Sequence, residues 1–148
     1  MKKLQQLDRI LFVVPMDSAV DVSILEAFIH EINRLNEHVK INVLYWNNNK
    51  NITKNKNYQR KANEWIDSDF SFFGKLINSD VEKYFNIKND ILVVFGENLP
   101  KKVNKALILA KADLKMGFGK DVSYFDVLLS LESRDLSEQI NMVKKYLV

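Results

Sequence analysis

Two histidines, no cysteine, and carboxylates scattered without a repeated spacing are the raw material for chemistry in this chain. His30 falls beside the polar face of a helical pattern and His38 in the turn ahead of a strand pattern, so neither has a second ligand at the short spacing that a zinc or iron site uses. Both read as solvated surface residues. Without cysteine there is no thiolate metal site, disulfide or thiol nucleophile, and no GxSxG-type turn supports a hydrolase. The turn after the first strand pattern, PMDSAVDVS, holds no glycine to let backbone amides approach a phosphate, and Asp17 and Asp21 would repel one. No cofactor and no metal are expected, and the reading leans away from an enzyme.

Positive charge and aromatic rings are the more distinctive resources. Residues 47–63 hold seven asparagines and five cations, Lys50, Lys54, Lys56, Arg60 and Lys61, without one carboxylate, and Tyr58 stands among them. Lysines for phosphates, asparagines for base edges and a tyrosine for stacking make up the combination a single-stranded RNA site uses. The plainer and stronger reading is a solvated loop in a chain rich in lysine and asparagine throughout. The aromatic run of Phe70, Phe72 and Phe73, with Gly74, is either a lid on the core or a docking patch for a protein, and Trp65 joins the three rings as an interface candidate. The core reading is favoured because each buried phenylalanine contributes ~1.5–3 kcal/mol, whereas an exposed cluster marks an interface.

These residues need a frame. Residues 9–14 form an almost continuous apolar run, the pattern of a strand buried on both faces of a parallel sheet, and Pro15 ends it. Within 20–35, Ile24, Leu25, Phe28, Ile29, Ile32 and Leu35 recur at helical spacing, with Ser23 and Glu26 available as a capping box. Residues 39–45 alternate as a second strand. Residues 47–63 then read as a long, mobile loop, and 64–77 as a segment too apolar to be linker. Ser79 and Glu82 signal a short helix over 79–86, and residues 91–95 form the clearest buried strand. Pro100 opens a helix through Ala110, and 112–118 is the next strand. Residues 124–131 fit strand or helix by periodicity, and their length and residue types favour strand. Asp135 and Glu138 cap a final helix.

This alternation predicts an α/β, Rossmann-like three-layer fold, with a mostly parallel sheet of about five strands in the order 2-1-3-4-5 and a single domain over 1–148. Ligands of such sheets bind past the carboxyl ends of the strands, which nominates Asp17, Trp46, Asn47, Glu97, Asn98 and Lys120 as crest residues. For Asp17 and Asn98 the competing role is to satisfy free amides at helix starts.

A chain of 148 residues, 47% hydrophobic and 28% charged, is long enough to bury about 68–70% of its unfolded surface. The net charge of +3 is mild, so a nucleic-acid footprint would require clustering on one face. No run approaches the ~18 apolar residues of a membrane span, and the start MKKLQQLDRILFVVP lacks a signal-peptide cleavage pattern. A soluble, cytoplasmic protein is expected.

The phrases DFSFFGK, SDVEKYF, NDILVVF and ALILAKADLKMGF, within 69–118, resemble an uncharacterised bacterial domain-of-unknown-function family of small α/β proteins. The AKADLKMGF piece is also similar, more weakly, to the amino-terminal domain of heptosyltransferase-like glycosyltransferases. That similarity implies a Rossmann-like half and no activity, since the chain lacks both a glycine loop after the first strand and a donor-binding second domain. No catalytic residue carries over.

The expected role is therefore a non-catalytic domain that binds a macromolecule through residues 65–74 or the basic loop. Its expected partner is another protein or a second copy of the chain, and not a membrane. One alternative is a small ligand-binding protein or enzyme related to a glycosyltransferase half, which requires Asp17, Glu97 and Lys120 within reach of one another. The other is an RNA-binding protein using 47–63.

Overall fold

Strand β1 (Arg9–Met16) is apolar at nearly every position because both of its faces are covered: Ile10, Phe12 and Val14 point into one core, and Leu11 and Val13 into another. The computed structural model describes residues 3–16, 22–61, 63–97, 99–119, 124–129 and 135–147. After β1 come α1 (Val22–Leu35), β2 (Lys40–Asn47), a single helical turn α2 (Lys50–Thr53) and β3 (Glu64–Ile66). They are followed by α3 (Ser79–Asn86), β4 (Asn89–Val94), α4 (Lys101–Leu109), β5 (Ala112–Phe118), β6 (Val127–Leu129) and α5 (Leu136–Leu147).

Among the described residues six strands form one sheet in the order β3-β2-β1-β4-β5-β6, and every adjacent pair is parallel. The register places Phe12 opposite Val43 on one side and Val93 on the other. Leu25, Phe28 and Ile32 of α1 and Ile140, Val143 and Leu147 of α5 close the first core. Val81 and Phe85 of α3 and Val103 and Leu107 of α4 close the second. The result is an α/β, Rossmann-like fold with helices on both faces. None of the described helices is long and apolar enough to cross a membrane.

Relative to the sequence reading, the sheet gains an edge strand. The expected order 2-1-3-4-5 survives as β2-β1-β4-β5-β6, and β3 adds to it at the outer side of β2. With only three residues, one of them a glutamate, β3 carries no alternation to detect. Residues 47–63 are not one long loop: Asn47 ends β2, and Lys50–Thr53 make a helical turn capped by the Asn49 side chain, which accepts from the Ile52 N–H. The cap of α3 is Asn78, which accepts from the Asp80 N–H, and not Ser79. The helix α1 already includes Ser23 and Glu26, so that pair lies inside its first turns. Of 124–131 only Val127–Leu129 are strand, and 130–131 lie outside the described residues. Asp135 caps α5 as expected, accepting from the Ser137 N–H at 2.9 Å.

Strand order reverses between β1 and β4, and there the chain approaches itself closely. Gly96 follows β4 at φ 87°, and a Cβ built on it would lie 2.5 Å from Pro15 Cγ. Its N–H donates to Gln139 Oε1 at 3.0 Å, which ties the crest to α5. Gly96→Ala is expected to destabilise the fold by ~1–3 kcal/mol, since it combines left-handed strain with a clash. Urea denaturation measures this, and an unchanged midpoint would contradict the close approach.

Candidate interaction surface

Two buried carboxylates organise the sheet edge beyond β2. Glu64, 1% exposed at the start of β3, accepts from Asn47 Nδ2 at 2.6 Å, from the Tyr58 hydroxyl and from the Lys61 N–H at 3.0 Å. Burial by itself would raise its pKa, but the three hydrogen bonds and the nearby Arg60 charge outweigh burial and hold the carboxyl below the ordinary glutamate value. Asp69, 3% exposed, accepts from Arg60 Nη1 at 2.6 Å, from the Ile66 N–H at 2.7 Å and from Asn78 Nδ2 at 2.8 Å. The asparagines of 47–57 serve the backbone in the same way: Asn47 Oδ1 accepts from the Asn49 N–H and Asn55 Oδ1 from the Asn57 N–H, each at 3.0 Å.

Beneath this edge lies an aromatic cluster. Trp65 stands 5.4 Å from Trp46, 5.8 Å from Phe70 and 5.3 Å from Phe85, centroid to centroid. From Phe70 the chain turns back on itself, pairing Phe70 with Leu76 in an antiparallel bridge. The turn is closed by Gly74 N–H to Ser71 O at 2.9 Å, Ser71 N–H to Lys75 O at 2.7 Å and Lys75 N–H to Ser71 Oγ at 3.1 Å. Gly74 takes φ 79°, as the residue closing a short hairpin must. This geometry leaves Phe72 and Phe73 at the two central positions, where turns ordinarily carry polar residues. They are 98% and 87% exposed and touch each other edge to face at 5.5 Å.

A family model matches this chain over residues 1–148. The chain belongs to DUF6913, a family of unknown function. No curated protein and no solved structure matches it.

In this DUF6913 chain the sequence-nominated residues separate into distinct roles. Trp65 and Phe70, nominated with Phe72 and Phe73 as interface candidates in a run whose favoured reading is core, are core residues, because β3 and the Phe70–Leu76 bridge turn their rings under the edge. Trp46, expected on the crest, is 1% exposed and faces the same core, and Asn47 is committed to Tyr58 and Glu64. Glu97 is half-buried in the turn after β4, whereas Asp17, Asn98 and Lys120 lie outside the described residues. Of the nucleic-acid candidates, Tyr58 and Arg60 are engaged with Glu64 and Asp69, while Lys50, Lys54, Lys56 and Lys61 are exposed. His30 and His38 are exposed. Among the described residues no group of three His, Asp or Glu is placed to hold a metal ion. A cavity of about 270 Å³ lies at the amino ends of the strands, lined by Arg9, Asn42, Asp80, Lys83, Tyr84, Ile87 and Asn89, remote from the crest.

Sequence reasoning missed Glu64 and Asp69 because a lone carboxylate announces burial only through partners distant in the chain. The Ser-Phe-Phe-Gly spelling of the turn was the available signal for the exposed rings. Since Glu64 titrates below its ordinary value in the folded chain, the stability it contributes is fully present above the unfolded value of 4.5 and lost as pH falls through the folded one. Glu64→Gln is expected to cost ~1–3 kcal/mol at pH 7, with the gap to wild type narrowing in acid. Urea midpoints across that range test it, and a gap independent of pH would contradict it.

Proposed function

We propose that the chain is a non-catalytic binding domain that docks onto another protein through Phe72 and Phe73. One observation carries the reading: two adjacent phenylalanines, 98% and 87% exposed, stand at the tip of a turn whose stem is pinned by the buried Asp69. Single exposed apolar residues are ordinary, but a contiguous aromatic pair on a pre-shaped support is the form of an interface anchor. Seating both rings in a partner's pocket removes roughly 300–500 Å² from water and is worth about 1.5–3 kcal/mol per ring. Because the backbone turn is already closed by its own hydrogen bonds, little ordering entropy opposes docking. The RNA reading of 47–63 is weaker, since Tyr58 and Arg60 are occupied within the fold.

The double variant Phe72→Ser/Phe73→Ser removes the anchor without touching the core, so its stability is expected to stay within ~0.5 kcal/mol of wild type. Affinity capture from nuclease-treated native lysate, with both proteins as bait, is expected to retain a protein on wild type and lose it from the variant. Identical capture by both baits, or capture abolished by nuclease, would overturn the proposal. Sedimentation of the two purified proteins shows whether the partner is a second copy of the chain.

A further inference from the structure

Beside the aromatic turn lies a second feature. Lys102, in the first turn of α4, runs its stem past Gly74, close enough that a Cβ on the glycine would meet Lys102 Cβ at 3.6 Å. Its ammonium stands 5.1 Å from the Phe70 ring centre and 5.9 Å from that of Trp46. There it contacts the Asp67 carboxylate, which Lys50 Nζ also approaches at 3.9 Å. Burial first, and then the charges of Lys50 and Lys54, press the Lys102 pKa below the ordinary lysine value. Two ammonium groups from separate elements, Lys50 and Lys102, thus converge on one carboxylate past the carboxyl ends of β2 and β3, and the exposed Lys54 lies within electrostatic range of Lys102. The first turn of α4 adds no acidic residue, and its cap Pro100 offers no side-chain acceptor.

We propose that Lys50, Lys54 and Lys102 form a binding site for the phosphate group of a small phosphorylated molecule, with Asp67 as the internal counter-ion that the ligand competes against. The arithmetic of charge selects the ligand class. Counting Lys54, three cations against one carboxylate leave two positive charges around the partly buried Lys102 and Asp67, which a phosphomonoester of charge about −1.5 to −2 neutralises. Lysine ammoniums are point charges that approach a tetrahedral anion from any side, whereas flat carboxylates are best read by the arginine fork. The neighbouring arginine, Arg60, is already bound to Asp69. The position past the carboxyl ends of parallel strands is where such sheets take ligands. A strand of RNA is the less suitable source of phosphate, because Phe72 and Phe73 stand at 86° to each other and present no continuous stacking platform.

The test is a ¹H–¹⁵N titration of the full chain at low salt with inorganic phosphate, adenosine monophosphate and a single-stranded oligoribonucleotide. Phosphate and the nucleotide are expected to give saturable shifts at the amides of residues 50–54, 67 and 101–103. Lys102→Met, which keeps the apolar stem, is expected to weaken binding about tenfold, and the exposed Lys54→Gln by about threefold. Asp67→Asn is expected to strengthen it roughly threefold by removing the competing charge. The absence of saturable shifts at these amides would overturn the site. Weakening by Asp67→Asn would overturn it as well, since that is the result for a purely structural ion pair. An oligoribonucleotide that binds more than about tenfold tighter than the nucleotide would overturn the small-molecule assignment in favour of RNA.

Discussion

The carboxylate of Asp69 is the contact on which the outer edge of this molecule depends. Burying a carboxylate costs several kcal/mol unless its lone pairs are met by donors and its charge by a cation. Here an arginine, a backbone amide and an asparagine amide meet it at 2.6–2.8 Å. The three donors come from three parts of the chain: Arg60 from the connection after β2, Ile66 from β3 and Asn78 from the cap of α3. Asp69 also offers its carbonyl to the Ile77 N–H at 2.8 Å, which closes the base of the aromatic turn. Removing the carboxylate leaves the Arg60 guanidinium and two amides without their acceptor, so the connection, the edge strand and the turn lose their common anchor together.

The central sheet supplies the rigidity that this anchor transmits. Strands β1 and β4 are covered on both faces, and their side chains are 0–1% exposed at Ile10–Val14 and Ile91–Val94. β3 attaches to that frame through only three register pairs with β2, Tyr45 with Glu64, Trp46 with Trp65 and Asn47 with Ile66. The Trp46–Trp65–Phe70 cluster and the two carboxylates therefore do what backbone pairing is too short to do. Both surface features follow from this edge. Phe72 and Phe73 project because Phe70 and Leu76 are held on either side of them, and Lys102 and Lys50 approach one carboxylate because Asp67 follows directly on the end of β3.

How much of this the sequence reveals depends on the range of the physics involved. The buried strands at Ile10 and Ile91 are legible because a continuous apolar run is a local property, and so is the amphipathic spacing of Leu25, Phe28 and Ile32. The parallel order of those strands follows from the helices between them. β3 is not legible, because Glu64, Trp65 and Ile66 become a strand only through Tyr45, Trp46 and Asn47. The asparagine-rich stretch looks like a solvated loop by composition, yet Asn47, Asn49 and Asn55 each hold a backbone amide, a use that composition does not distinguish. The aromatic run was divisible only by its glycine: Gly74 demands a turn, and a turn ejects the two residues before it while its flank, Phe70, stays in the core.

If the outer edge is a rigid presentation surface fixed by Asp69, native-state hydrogen exchange of wild type against Asp69→Ala must show it. In wild type the amides of Ile66, Gly74 and Ile77 are predicted to be protected. In the variant they are predicted to exchange roughly 100-fold faster while Phe12 and Val93 keep their rates. Unprotected amides at those three positions in wild type, or acceleration spread equally over the central strands, would contradict it.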